Sequence, residues 1–153
     1  MAERALQLTD QKIDIYDRKC VLIVESNSSL SGALGQILER MRIPYHIVED
    51  GLKAIEIARG RDYNLILMGI TLRRMDGLRA TREIRRISKY TAKMPIIAVV
   101  SKISEHSAKD YLDAGMTDTI KMPVNAVNLL DLLAQHMNFQ EAVDFHREAL
   151  LEF

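Results

Sequence analysis

Five short apolar runs, each followed by a longer stretch of helical periodicity, constrain this chain more than any other feature. The runs fall at residues 20–24, 45–48, 63–68, 95–100 and 117–120, and the helical stretches at 28–41, 52–58, 78–90, 105–114 and 126–137. Runs of this length, rich in Val, Ile and Leu, predict strands. In the first, third and fourth runs the apolar character is nearly continuous instead of alternating, the pattern of a parallel strand covered on both faces. Five strands alternating with five helices therefore predict an α/β domain, a doubly wound parallel sheet with right-handed crossovers. In such sheets a site forms outside the carboxyl ends of the strands. That rim is predicted to carry Glu25, Ser26, Gly69, Val100, Ser101 and Met122.

The remaining segments divide the chain into an N-terminal extension at 1–18, a domain at 19–137 and an additional helix at 138–153. The extension, with Leu6, Leu8, Ile13 and Ile15, reads equally as a short helix or an extended arm. The last segment has capping-box spacing at Asn138 and Glu141, and Phe139, Val143, His146, Leu150 and Phe153 form one stripe. This stripe is expected either to fold back on its own domain or to serve a partner or a homodimer. No apolar stretch has the length of a membrane span. Cys20 is the sole cysteine, which excludes an internal disulfide and fits a buried thiol in a reducing cytoplasm. Lys plus Arg equals Asp plus Glu at 21 each, so the whole molecule exerts no net pull on nucleic acid or an anionic membrane.

Several segments in order carry a family resemblance: VLIVESN at the first strand, EDGLKAIEIA at the second turn and helix, NLILMGITLRRMDGLRATREIR around the third strand, MPIIAVVS at the fourth, and DAGMTDTIKMPV at the fifth. Over residues 20–137 the chain resembles the response-regulator receiver family. The resemblance implies a flavodoxin-like sheet of order 2-1-3-4-5 and a cis bond between Met122 and Pro123. It also implies a site in which two acids and an acceptor aspartate hold Mg²⁺ during phosphoryl transfer.

The family's chemical groups are missing at those positions. Glu25 and Ser26 stand for the acidic pair, Gly69 for the acceptor aspartate, Val100 for the switch hydroxyl, Met122 for the lysine and Thr119 for the switch aromatic. One carboxylate is a poor magnesium site, and glycine accepts no phosphate. A lysine left in a pocket emptied of carboxylates would be a buried charge without a partner, whereas methionine packs there readily. Strand alternation predicts that Lys121 points to the opposite side from Met122. The chain is therefore expected to be a pseudo-receiver with no catalytic residue, metal or cofactor.

The function expected on that basis is a phosphorylation-independent protein-interaction module in a bacterial-type two-component or phosphorelay pathway, acting on a kinase, a protease component or a motor protein. The partner surface implied by the resemblance includes Lys109, Tyr111, Thr119, Lys121 and Asn128. The alternative is a sensor holding a small anionic ligand in the vestigial pocket, with Arg73 and Arg74 as the anion contacts. Glu25 is expected to bond backbone amides or Lys102, and Ser26, Thr71 and Ser101 to serve turns or caps. The four histidines lack ligand spacing. From Arg73 to Lys89, seven basic residues face two acids, a local net of +5. Without aromatic residues for base stacking, that stretch reads as a solvated helix face and argues weakly for nucleic acid.

Overall fold

A computed structural model describes residues 20–101 and 106–137 of the chain. Both terminal segments, including the expected 138–153 helix and dimer surface, lie outside the described residues, as does Lys102. The elements run β1 (Val21–Val24), α1 (Ser28–Arg40), β2 (Tyr45–Val48), α2 (Gly51–Gly60), β3 (Leu65–Gly69), α3 (Gly77–Arg85), α4 (Lys89–Lys93), β4 (Ile96–Val100), α5 (Ala108–Ala114), β5 (Asp118–Lys121) and α6 (Ala126–Met137). All four strand pairings are parallel and the sheet order is β2-β1-β3-β4-β5, the predicted topology.

The continuous apolar runs feed two cores. Leu22, Val24, Ile66 and Met68 pack with residues of α2, α3 and α5 on one face, while Val21, Ile23, Leu65 and Leu67 pack with α1 and α6 on the other. Every residue of β1, β3 and β4 is buried. Each large aliphatic side chain so placed contributes about 1.5–3 kcal/mol relative to an exposed one.

Helix starts follow local capping chemistry. The Asn27 side chain accepts from the amides of Ser29 and Leu30 at 3.0 and 3.2 Å, Asp50 from Lys53 at 2.7 Å and Asp76 from Arg79 at 2.8 Å. The expected single helix over 78–90 is two helices. Ser88 adopts an extended conformation and forms a capping box with Thr91, so a new helix starts at Lys89. The fourth expected helix begins at Ala108 instead of residue 105, because Ser107 caps it in a box with Asp110. Met122-Pro123 is cis, as the resemblance implied.

Candidate functional site

The parallel register sets the carboxyl ends of β1, β3 and β4 side by side, with Val24 opposite Met68 and Gly69 opposite Val99. Glu25 and Ser26 leave β1 at this rim, Gly69 ends β3 and Val100 ends β4. Above them lies a cleft of about 720 Å³, within the range of small-molecule sites. Glu25, Ser26 and Val100 line it, together with Asn27, Thr71 and His106. Leu30, Ile70 and Val99 add apolar wall. Asn27 was not singled out in the sequence, and His106 figured there only among the histidines without ligand spacing.

Glu25 dominates the rim. It is 7% exposed, and its Oε2 accepts from the Asn27 amide at 3.1 Å. Burial pushes its carboxyl above the ordinary range, partly opposed by hydrogen bonds from the amides of Asn27 and Ser26. A Cβ added to Gly69 would sit 2.8 Å from Glu25 Oε1 and 2.9 Å from the Val24 carbonyl oxygen. The Glu25 carboxylate thus takes up space that a side chain at position 69 would need. The α3 N-terminus closes on the same strand end: Gly77 donates its amide to the Ile70 carbonyl at 2.8 Å, and a Cβ on Gly77 would meet the Gly69 carbonyl oxygen at 1.9 Å. Ser26 Oγ donates to the Thr71 carbonyl at 3.0 Å, joining the β1 and β3 loops.

Met122 is 6% exposed and packs in the core on the α1 and α6 face, while Lys121 is exposed on the other side of β5. The donor set that receivers use for Mg²⁺ does not fit this rim, since Glu25 is its one carboxylate beside Ser26 and Gly69. No cluster of three or more His, Cys, Asp or Glu side chains among the described residues could hold a metal ion.

Arg73 and Arg74 do not line the cleft. Arg73 lies 3.4 Å from Glu49, and Arg74, in the left-handed region at φ 64°, donates to both Asp50 oxygens at 3.0 Å. These pairs fasten the β3–α3 loop to the β2–α2 junction. The Asp50 carboxyl is held below its usual range first by the Lys53 amide and also by Arg74. The basic stretch is further divided because Arg86 pairs with Glu83 at 3.2 Å and Arg85 turns inward onto backbone carbonyls.

Of the five partner-surface residues, Thr119, Lys121 and Asn128 come together around a second, shallower cleft of about 370 Å³ between β5 and α6. Lys109 is exposed on α5. Tyr111 is a correction: it is 5% exposed, packed in the core with its ring against His106, because its position on α5 faces the sheet. Among the described residues no helix is long and apolar enough to cross a membrane.

The fold and sequence have close counterparts. The chain is 32% identical over 117 residues to the transcription factor SKN7 of Candida albicans, matching 76% of this chain and 20% of that protein. It is 26% identical to the two-component response regulator 24 of Arabidopsis thaliana, matching 87% of this chain and 94% of that protein. Among solved structures, the receiver domain of the Pseudomonas aeruginosa sensor histidine kinase PA1611, with magnesium coordinated in its active-site cleft, matches with 29% identity and a TM-score of 0.72 over 78% of this chain and 98% of that one. The receiver domain of Ssk1, solved with the histidine phosphotransfer protein Ypd1 of Saccharomyces cerevisiae, matches with 26% identity and a TM-score of 0.72 over 80% of this chain and 91% of that one. The chain spans about a fifth of the length of SKN7 and similarly short parts of other curated relatives. With the Response regulator receiver domain matching residues 21–134 and the sheet order of that fold in place, the chain belongs to the response-regulator receiver family.

Proposed function

We propose that this receiver works without phosphorylation, as a cytoplasmic protein-interaction module in a two-component or phosphorelay pathway, with no enzymatic activity of its own. The observation that carries this reading is the end of β3: Gly69 offers no carboxylate, and the neighbouring Glu25 carboxylate crowds the place where one would stand. Val100 and the buried Met122 support it, since neither provides a hydroxyl to read a phosphoryl group nor a cation to pair with it. The partner is a signalling protein, met on the face formed by Thr119, Lys121 and Asn128, together with the exposed Lys109 of α5. The co-crystal of Ypd1 with the Ssk1 receiver makes a histidine phosphotransfer protein one partner to test alongside a kinase, a protease component or a motor protein.

The test is incubation with a radiolabelled phosphodonor and Mg²⁺. Neither the natural chain nor Gly69→Asp is expected to form an acid-labile or hydroxylamine-sensitive adduct, because the single substitution leaves Ser26, Val100 and Met122 in place. Stoichiometric labelling of either protein would overturn the reading. A second reading, a ligand sensor, is favoured by the 720 Å³ cleft at the strand ends. For an anion, Arg73 and Arg74 would first have to leave Glu49 and Asp50.

A further inference from the structure

Among the described residues, the cleft at the carboxyl rim carries a charge pattern opposite to the one a phosphate pocket needs. Its ionisable lining residues, among those described, are Glu25 and His106. His106 Nδ1 stands 3.7 Å from Asp110 Oδ2, so its imidazole already faces an acid of its own helix cap. Glu25 is more than nine-tenths buried and lines the cleft, and among the described residues its hydrogen bonds come from backbone amides, with no cation paired to it. A buried carboxylate without a cation is held at a cost, which a donor arriving from the cleft would relieve. The arginines that could reverse the sign are bound to Glu49 and Asp50. Beside Glu25, Leu30, Ile70 and Val100 offer apolar contact, and the hydroxyls of Ser26 and Thr71 offer further polar contact.

Building on the ligand reading of this cleft, we infer that its ligand is a small organic cation: an ammonium or guanidinium head bonded to the Glu25 carboxylate, with an apolar body against Leu30, Ile70 and Val100. Charge-assisted bonds of N–H donors to a desolvated carboxylate are the stronger kind, and the mixed wall suits an alkyl or aryl amine better than a hydrated inorganic ion. Glu25 thereby changes from a remnant of a metal site into the specificity-determining group of a different site.

The experiment is thermal shift followed by calorimetric titration of the full chain with agmatine, n-butylamine and phenethylamine, beside pyrophosphate and acetate at matched ionic strength. The expected result is saturable stabilisation by at least one amine and none by either anion, with affinity reduced about tenfold or more in Glu25→Gln, which keeps the shape and loses the charge. If that variant fails to fold, amide chemical-shift mapping of the natural chain decides: amine-induced shifts must centre on Ser26, Asn27, Thr71 and Ser101. Shifts centred elsewhere overturn the inference. Stabilisation by pyrophosphate alone would overturn it while leaving the ligand reading intact, and silence from every compound would remove both. Lys102→Ala provides the remaining arm. Unchanged amine affinity supports the assignment, whereas amine binding that appears only in that variant would overturn it for the natural chain.

Discussion

The two rims of the sheet are built on different terms. At the amino rim, side chains knit the elements together. Arg85 donates through Nε to the Gly115 carbonyl at 2.9 Å, through Nη1 to the carbonyls of Thr91 and Met94, and through Nη2 to Thr117 Oγ1 at 3.2 Å. Thr117 Oγ1 in turn accepts from the Ile96 amide at 3.1 Å. Asn64 accepts from the Cys20 amide at 3.0 Å, Tyr63 Oη bonds His46 Nδ1 at 2.6 Å, and Tyr90 Oη donates to the Tyr63 carbonyl. At the carboxyl rim, close backbone packing and one buried carboxylate border an open cleft. The part-buried arginine hub thus lies at the opposite end from the cleft, whereas the side-chain bonds of the carboxyl rim, Arg73 to Glu49, Arg74 to Asp50 and Ser26 to Thr71, are exposed ties between loops.

The largest expected effect tests whether the carboxyl rim is nevertheless closely determined by its backbone. Gly77→Ala places a methyl 1.9 Å from the Gly69 carbonyl oxygen, an atom of the backbone that cannot swing aside. It should lower the urea unfolding free energy by about 3 kcal/mol. A value near zero would mean that the α3 N-terminus slides easily, and the contrast between rims would then extend to the backbone.

Next in size is the amino rim's own hub. Arg85→Ala leaves the carbonyls of Gly115, Thr91 and Met94 without their donor, and should cost about 2–3 kcal/mol. Arg85→Lys should recover only part of that, since one ammonium cannot copy a planar fork. Full recovery by lysine would reduce the hub to a simple charge.

The smallest effects have opposite signs of pH dependence at the two rims. Burial raises the Glu25 carboxyl, so the folded state holds a proton more firmly than the unfolded one. Its contribution is present below the ordinary glutamate range and is lost as pH rises through the raised value. Glu25→Gln should remove that loss and leave the protein as stable or up to about 1 kcal/mol more stable at neutral pH. Burial, and then Arg61, lower the His46 imidazole, so the unfolded chain binds its proton more readily. Stability then falls as pH drops from the ordinary histidine range through the lowered value. The exposed ring keeps that slope shallow, and it should vanish in His46→Gln. Melting temperatures across about pH 3–8, which brackets the ordinary glutamate and histidine values, check both signs together.

The architecture was legible because its signals are contiguous. Unbroken apolar runs such as Leu65 to Met68 identify strands covered on both faces, and the observed strands differ from expectation only at their ends. The break within 78–90 was not legible because the periodicity continues across it, and Ser88 acts as a cap only through its bonds to Thr91. At the site, the identities of Glu25, Ser26, Gly69, Val100 and Met122 were readable, and strand alternation correctly separated Lys121 from Met122. The direction of the arginines was not readable. Arg74 finds Asp50 at a sequence distance of 24, and no local pattern announces that pair.

By itself, the sequence determined a five-stranded parallel α/β domain whose strand ends carry Glu25, Ser26, Gly69, Val100 and Met122, since periodicity and residue identity are local properties. Tertiary structure alone decided that Tyr111 is core, that Arg73 and Arg74 answer Glu49 and Asp50, that Arg85 spans the amino rim, and that Glu25 crowds the space beside Gly69. Each of these depends on where a side chain meets an element distant in sequence, and that meeting is settled by packing and by satisfying buried polar groups.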